Sequence, residues 1–238
     1  MKTHEELHTI RYSEGDRNGF LKLRALFDYA QDIAGNHAEE LGVGMSNLRQ
    51  QGRAWMLSRI RLRILRHPKI CETLRILTYP MGFQRLFARR EFRFYDQHEQ
   101  LICAATSYWL LLELPNLRIL NAQRELEDIM PDNGALDIAF TNIDKIQAPT
   151  IIDKRSSCHV EESMLDINQH LNNAEYAALV QNFLSPGHYP AELQLNYQLS
   201  VPPAATLEIA GHCTENDFLL HGCLDGQSAF QATGIIRK

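Results

Sequence analysis

The stretch Ser163-Met164-Leu165-Asp166-Ile167-Asn168 repeats a pattern that the chain already contains in Ser13-Glu14-Gly15-Asp16-Arg17-Asn18. The two stretches share Ser, Asp and Asn at an offset of 150 residues. Each copy is followed by the same order of elements: a turn, one apolar helix and four extended segments. Because self-similarity at a fixed offset marks a duplicated unit, the sequence predicts two equivalent halves.

The first copy predicts one helix followed by an antiparallel sheet. Apolar residues recur at helical spacing over residues 21–41, and Gly42 ends the run. Alternating apolar and polar residues then predict strands at 55–65, 73–79, 89–95 and 101–112. In the first of these strands one face is expected to carry Met56, Ser58, Ile60, Leu62 and Ile64.

The second copy repeats this plan. A strand is expected at 157–164, and the helix that follows, 174–184, is so apolar that protein must surround it. Asn172 is a suitable N-cap, and Glu175 three residues later completes a capping-box pattern. Further strands are expected at 192–199, 206–213, 218–224 and 229–237.

A helix that is apolar on most sides can be buried by a curved antiparallel sheet. The sequence therefore predicts an α+β fold of two helix-in-sheet domains, a pseudo-dimer in one chain whose sheets pair edge to edge. The loop-rich middle of the chain places the N-terminal domain at 1–125, a linker at 126–155 and the C-terminal domain at 156–238.

Composition limits the class of protein. The chain has 238 residues, of which 45% are hydrophobic and 22% charged, as in globular proteins. Five cysteines without a Cys-x-x-Cys pair indicate neither a disulfide framework nor a zinc ribbon, and there is no phosphate-binding glycine loop. We therefore expect no metal and no cofactor. With no apolar run long enough to span a membrane and no signal peptide, we expect a cytoplasmic protein.

Charge is unevenly distributed. Between Arg49 and Arg93 there are twelve basic and two acidic residues, a net charge of +10, so the rest of the chain carries −15 to reach the total of −5. A basic surface on an acidic protein favours an acidic protein partner over a nucleic acid. The alternative is that these arginines only cover the outer faces of strands. The docking candidates are Arg59, Arg61, Arg63 and Arg66.

The densest polar cluster lies between the strand and the helix of the second copy, at 166–173. A helix N-terminus offers backbone N–H groups that can stabilise an oxyanion, here at Asn172 and Asn173. Asp166 and His170 could activate water or attack directly, while Asn168 orients substrate or water. The alternative is ordinary turn chemistry, which Asp and Asn also favour. In the first copy Phe20 takes the place of His170, which suits one catalytic half and one binding half; the alternative is that Phe20 only packs in the core.

Four stretches resemble the bacterial acyl-acyl carrier protein (acyl-ACP) thioesterases, which have tandem hot-dog domains. They are residues 12–19 (YSEGDRNG), 29–37 (YAQDIAGNH), 55–59 (WMLSR) and 166–176 (DINQHLNNAEY). The resemblance runs from about residue 8 to residue 235. The pattern Asp-x-Asn-x-His-x-Asn-Asn also occurs in single hot-dog acyl-CoA thioesterases, so its combination with the tandem layout is what makes it specific.

The resemblance implies hydrolysis of fatty acyl thioesters on an acidic acyl carrier protein, with release of free fatty acid. It implies catalysis by Asp166, Asn168 and His170, and an acyl pocket shaped by the first hot-dog domain. Pocket candidates are Phe27, Trp55 and Tyr176. The family usually has a Glu on the first strand after the second helix, where alignment places Ser200. Either Asp166 suffices, an acid such as Glu175 substitutes, or the enzyme is slow or silent.

Three competing functions remain open at this stage. The chain could be an acyl-CoA thioesterase or a catalytically silent acyl-binding protein, and the second is favoured by Ser200. A hot-dog dehydratase is a third alternative, but its usual pairing of His with an acid across subunits is not found. A tandem chain contains its own pairing, so both a monomer and a homodimer are compatible with the sequence.

Overall fold

The computed structural model describes residues 2–131 and 133–237. The chain divides into two compact units. The first comprises the chain up to Leu21 together with Asp28–Ile143, and the second comprises Lys22–Phe27 together with everything from Asp144 onward. Within the described part of the chain, no helix has both the length and the apolar character needed to cross a membrane.

The first unit is an antiparallel sheet with one long helix. Its strands have the order β1-β3-β4-β5-β2, and β6 pairs with the end of β5. The strands are β1 (His4–Thr9), β2 (Arg53–Ile64), β3 (Thr73–Gln84), β4 (Phe87–Tyr95), β5 (Leu101–Glu113) and β6 (Arg118–Leu120). The helices are α1 (Leu23–Glu40), α2 (Met45–Gln50) and α3 (Ala122–Leu126).

The four predicted strands of this unit are confirmed, but β1 was not foreseen. Its half-buried face carries His4, Glu6 and His8, so the apolar alternation that identifies a strand is absent there. The predicted face of β2 is wrong at one end, because Leu57 is buried in place of Met56. A register shift at Ser58 reverses the alternation of the strand.

Strand β4 is buried on both faces. Arg90, Phe92 and Phe94 share one face, and Arg90 contacts His37 of α1. The opposite face carries Glu91, which is itself fully buried. The sheet therefore has the helix on one side and another part of the chain on the other.

That other part is the segment 137–143. Hydrogen bonds between its backbone and side chains of β4 hold it against the sheet. The N–H of Ala139 donates to the Glu91 carboxylate at 2.8 Å, and the Arg93 guanidinium donates to the carbonyl of Asp137 at 2.8 Å. Burial raises the pKa of Glu91, while these donors and Arg93 act in the opposite direction. The segment 137–143 thus covers this face of the sheet, with its backbone hydrogen-bonded to side chains of β4.

The second unit repeats the helix-and-sheet plan. Its strand order is β8-β11-β10-β9-β7, antiparallel throughout. The elements are β7 (Lys154–His159), α4 (Asn173–Phe183), β8 (Tyr189–Tyr197), β9 (Thr206–Cys213), β10 (Asp217–Leu224) and β11 (Gln227–Arg237). The strand expected at 157–164 is wrong at its end, because β7 stops at His159 and Glu162–Met164 forms a 3-10 turn.

Helix α4 is buried as its composition predicts. The Tyr176 ring packs edge-on against Tyr197 of β8 and Phe230 of β11, with centroid separations of 5.2 and 5.0 Å. Helix α4 therefore packs against β8 and β11.

The segment expected to be a linker, 126–155, contributes to both units. Residues 126–143 group with the first unit and 144–155 with the second. In the second unit the Gln194 amide donates to the carbonyl of Asp144 at 2.6 Å. The division of roles between an acyl-pocket domain and a catalytic domain stays a prediction.

Candidate active site

Asp166 organises the loop that precedes α4. Its Oδ1 accepts hydrogen bonds from the N–H groups of Asn168 at 2.8 Å and His170 at 3.3 Å. Its Oδ2 accepts from the side-chain amide of Asn168 at 3.1 Å. The loop closes with the Asp166 N–H donating to the carbonyl of His170 at 2.8 Å. The three predicted catalytic residues therefore belong to one five-residue turn.

The loop of the first copy has the same hydrogen bonds. Asp16 Oδ1 accepts from the N–H groups of Asn18 at 2.8 Å and Phe20 at 3.0 Å, and the Asp16 N–H donates to the carbonyl of Phe20 at 2.7 Å. The same backbone hydrogen bonds close the loop with Phe20 in one copy and His170 in the other, so the turn does not require an imidazole. The copies differ in the chemistry of this side chain, which is apolar in Phe20 and can exchange a proton in His170.

The imidazole of His170 is not bonded to the carboxylate of Asp166. His170 is exposed, and within the described residues its link to Asp166 runs through the backbone N–H. Asp166 itself is half-buried. The two groups therefore flank the same turn as separate functional groups, not as a hydrogen-bonded pair.

The N-terminus of α4 lies directly after this turn. Asn172 is the N-cap, and its side chain accepts from the N–H of Ala174 at 2.9 Å. The Asn172 N–H donates to Met164, and the Glu175 N–H donates to the carbonyl of Asn172. Among the described residues, no acceptor for the Asn173 N–H is present, so this amide is the one suited to an oxyanion.

The predicted capping box is wrong in its second half. Glu175 does not return to the N-cap: its side chain is 7% exposed, and its Oε1 lies 2.7 Å from the Arg24 guanidinium. Arg24 belongs to the short stretch Lys22–Phe27 that groups with the second unit. Glu175 is thus engaged in a half-buried ion pair, which disfavours it as a substitute for the missing acid.

Ser200 lies beyond the end of β8 and is exposed. The next residue, Val201, is buried, and its carbonyl accepts from the N–H of Leu171 at 2.8 Å. The position expected to carry an acid is therefore adjacent to the catalytic turn in space, but it has no carboxylate.

The three acyl-pocket candidates have different surroundings. Tyr176 is buried, and burial together with the nearby Asp166 charge raises the pKa of its phenol. Phe27 is buried in the first turns of α1. Trp55 packs beside a small cluster around α2 and α3, and its indole N–H donates to the carbonyl of Val43 at 2.9 Å. Of the three, Tyr176 lies in the first turn of α4, which follows the Asp166 turn directly.

Tyr197 is a site residue that the sequence analysis did not single out. It is half-buried, burial of its hydroxyl raises its pKa, and the hydroxyl donates to the carbonyl of Asn173 at 3.1 Å. It therefore supports the first turn of α4 from the sheet. No local signal identifies such a contact, since the two residues are 24 positions apart.

The four docking candidates all contact their own unit. Arg59 donates to the carbonyl of Ile143 at 2.8 Å. Arg61 and Arg63 lie over the Phe140 ring at 4.6 and 4.7 Å from its centroid. Arg66 binds Glu72 and Asp96, so its charge is neutralised locally. Arg63 is the exposed member of the four that lies over Phe140 of the segment 137–143.

The chemistry of the site uses side chains and backbone amides. Across residues 2–131 and 133–237, no group of three or more His, Cys, Asp or Glu side chains is placed to hold a metal ion. What the turn offers is a carboxylate, an exposed imidazole, an amide side chain and a helix N-terminus. This set suits attack on an activated acyl group.

Comparisons with known proteins identify a family for the chain. The family model for the acyl-ACP thioesterase N-terminal domain matches residues 1–130. The oleoyl-acyl carrier protein thioesterase of Coriandrum sativum is 22% identical over 232 residues, which are 90% of this chain and 60% of that protein. The chain thus spans 60% of the length of this curated relative.

Solved structures show the fold. An acyl-ACP thioesterase from Bacteroides thetaiotaomicron superposes with a TM-score of 0.88 at 19% identity, covering 99% of this chain and 98% of that one. The 12:0-ACP thioesterase from Umbellularia californica gives a TM-score of 0.84 at 18% identity, with coverages of 99% and 97%. The α+β double hot-dog class expected from the sequence is confirmed.

Proposed function

The chain belongs to the acyl-ACP thioesterase family, and we propose that it hydrolyses fatty acyl thioesters carried by acyl carrier protein. The products are a free fatty acid and the carrier thiol. The observation that carries the proposal is the position of the Asp166 carboxylate, held by a turn that leads directly into the N-terminus of α4.

One oxygen of Asp166 keeps the capacity to bind water. A carboxylate oxygen has about two lone-pair sites, and Oδ1 uses both for the N–H groups of Asn168 and His170. Oδ2 accepts one bond from the Asn168 side chain. A second bond to Oδ2 would come from the nucleophilic water, so Asn168 orients the oxygen that acts as the base.

In the proposed reaction Asp166 removes a proton as water oxygen attacks the thioester carbon. The carbonyl oxygen becomes an oxyanion, which the Asn173 N–H and the positive end of α4 stabilise. The tetrahedral intermediate then collapses, the carbon–sulfur bond breaks, and the sulfur leaves as a thiolate. A thiolate is a good leaving group, so the reaction needs one carboxylate and few other groups.

The thiolate sulfur then takes up a proton. In this proposal His170, which is exposed beside the turn, donates that proton and regains one from solvent, while the proton taken by Asp166 passes to solvent. The first copy, which has Phe20 at this position, lacks a donor there. This difference supports assigning hydrolysis to the second unit.

The matched experiment compares equivalent aspartates in the two loops. We expect Asp166→Asn to lower kcat for acyl-ACP at least ~100-fold, because general-base contributions are of this order. Asp16→Asn changes the same hydrogen bonds in the non-catalytic loop, so it should shift the melting temperature similarly and leave kcat within about threefold of wild type. Equal losses of activity in both variants would overturn the proposed role of Asp166.

The carrier is the second part of the proposal. Relatives named as acyl carrier protein thioesterases support acyl carrier protein over coenzyme A. A panel of acyl-ACPs and acyl-CoAs of equal chain length tests this: a higher kcat/KM for the CoA series would favour an acyl-CoA thioesterase. We further propose a cytoplasmic protein, either monomeric or homodimeric, which fractionation and sedimentation test.

Docking of the carrier is proposed at Arg61 and Arg63. Both lie over Phe140 on the outer face of the sheet, and Arg63 is exposed. Replacing both with Glu should raise the KM for acyl-ACP and leave a small thioester analogue unaffected, since steering acts on the charged carrier. An equal effect on both substrates would exclude this surface.

Ser200 favours a second candidate, a catalytically silent acyl-binding protein. The position next to the turn has a hydroxyl where the family usually has an acid, so water activation rests on Asp166 alone. Equilibrium binding of acyl-ACP without release of fatty acid over many binding lifetimes would support this candidate. Turnover that depends on Asp166 would exclude it.

A further inference from the structure

Arg90 is a buried cation on the α1 face of β4. Its exposed fraction is 7%, and it shares this face with Phe92 and Phe94, which are fully buried. Removing a guanidinium from water is costly unless a partner compensates its charge. Its surroundings therefore decide whether the residue is structural or functional.

Both groups that accept from Arg90 are neutral. Its Nη1 donates to Nδ1 of His37 at 3.1 Å and to the hydroxyl of Thr78 at 3.2 Å. A histidine nitrogen that accepts from a guanidinium carries no proton. In agreement, burial and the positive charges of Arg90, His4 and Lys2 lower the pKa of His37 to about 4. The Thr78 hydroxyl donates its own hydrogen bond to the carbonyl of Glu91, so it acts as an acceptor towards Arg90.

Arg90 has no carboxylate partner in the part of the chain that the structure describes. Among the residues that the structure describes, it forms no ion pair, and burial lowers its pKa to about 10, so it stays charged at neutral pH. The carboxylates that approach this region, those of Glu6 and Glu40, bind His4 at 2.9 and 3.0 Å. Other arginines of the same sheet form ion pairs with acidic residues. The Arg93 guanidinium, for example, lies 3.2 Å from the Glu91 carboxylate.

One edge of the guanidinium is left for a ligand. Nη1 makes both hydrogen bonds to the protein, so Nε and Nη2 have no acceptor within residues 2–131 and 133–237. These two N–H groups form a planar fork that matches the two oxygens of a carboxylate. Phe92 and Phe94, the next residues along this face of β4, are fully buried and aromatic, which favours an apolar body for the ligand.

We propose that Arg90, with His37 and Thr78 holding its orientation, anchors a binding site inside the first unit for a carboxylate attached to an apolar chain. Two sources share this chemistry: a free fatty acid, and an acyl thioester whose far end carries a carboxylate. This site is additional to the proposed hydrolysis, because the groups assigned to that reaction all belong to the Asp166 turn and the N-terminus of α4.

Calorimetric titration of the intact chain tests the site. Octanoate should bind saturably to the wild-type protein, and 1-octanol, which has the same apolar body without the carboxylate, should bind at least tenfold more weakly. Arg90→Met should weaken octanoate binding at least tenfold. The matched control Arg63→Met removes an exposed positive charge and should leave the affinity within about twofold. Octanoate affinity that survives Arg90→Met, or equals that of octanol, excludes a free fatty acid as the ligand, and the second probe below then decides the proposal.

A second arm separates the two sources. The N-acetylcysteamine monothioester of octanedioic acid is compared with its methyl ester in wild type and Arg90→Met. Arg90-dependent binding of the acid form assigns the site to the far end of an acyl group, and Arg90-dependent binding of octanoate alone assigns it to the free acid. Absence of both overturns the proposal.

A structural role for Arg90 predicts a different set of results. If the cation serves only His37 and Thr78, Arg90→Met lowers the melting temperature strongly and changes no affinity. If the cation is kept for a ligand, the apo form of Arg90→Met is at least as stable as wild type. Arg90→Lys keeps the positive charge but loses the planar pair of N–H donors. This variant should therefore bind octanoate, with an affinity severalfold below that of wild type. It replaces Arg90→Met in the comparison if Arg90→Met does not fold.

Discussion

Gln169 has the same left-handed backbone conformation as Gly19 at the matching position of the other loop, with φ of 62° and 79°. Only glycine adopts this conformation without steric cost, so the Asp166 turn carries backbone strain that the Asp16 turn avoids. Of these two loops, the one that bears Asp166 and His170 is the one that carries this strain. Backbone strain is often found at functional sites, where the surrounding structure holds it in place.

This relationship predicts the response of position 169 to substitution. Gln169→Gly should change the free energy of unfolding by less than ~1 kcal/mol, because relief of strain is offset by the greater freedom of glycine in the unfolded chain. Gln169→Val should cost ~1–2 kcal/mol, because a β-branched residue fits this conformation poorly. Urea denaturation measures both, and equal losses would show that the backbone conformation is not what limits this position.

Restoring an acid beside the turn should accelerate hydrolysis. Ser200 precedes Val201, whose carbonyl binds the Leu171 N–H next to His170. We expect Ser200→Glu to raise kcat for acyl-ACP about tenfold, since a positioned second base assists water activation. Leu199→Glu adds the same charge one residue earlier and should leave kcat unchanged. A matching rise in both variants would mean that charge alone, without position, causes the effect.

The ion pair of Glu175 with Arg24 should contribute to stability. Arg24→Met leaves the buried Glu175 carboxylate without this cation, so the free energy of unfolding should fall by ~2 kcal/mol, less than for a fully buried pair because Arg24 is half-exposed. In the Glu175→Gln background the same substitution should cost less than ~0.5 kcal/mol. A cycle of urea denaturation curves checks this, and additive losses would rule out coupling.

Stability should fall below neutral pH because of His37. Its pKa is about 4 in the folded protein against 6.5 for an exposed histidine, with burial as the main cause and Arg90, His4 and Lys2 adding to it. The folded pKa is the lower one, so the stability contribution is full above pH 6.5 and is lost as the pH falls towards 4. Between pH 7 and 4 the wild type should lose roughly 3 kcal/mol more than His37→Gln. Parallel pH profiles of the two proteins would contradict this assignment.

Local features of the fold and the site were predictable from the sequence. The turn around Asp166 and the N-cap at Asn172 depend on hydrogen bonds between residues a few positions apart, which residue type and spacing specify directly. The duplication supplied a further constraint, because the loop at Asp16 has the same bonds with a different side chain at Phe20.

The sequence by itself determined two helix-and-sheet units and the position of a polar turn before the second helix, because these follow from short-range spacing and hydrophobic periodicity. Only the tertiary structure decided that Glu175 meets Arg24, that Arg66 is neutralised by Glu72 and Asp96, and that Arg90 is buried without an acid. The physical reason is that charge pairing and burial depend on which distant segments pack together, and side-chain periodicity carries no information about the partner.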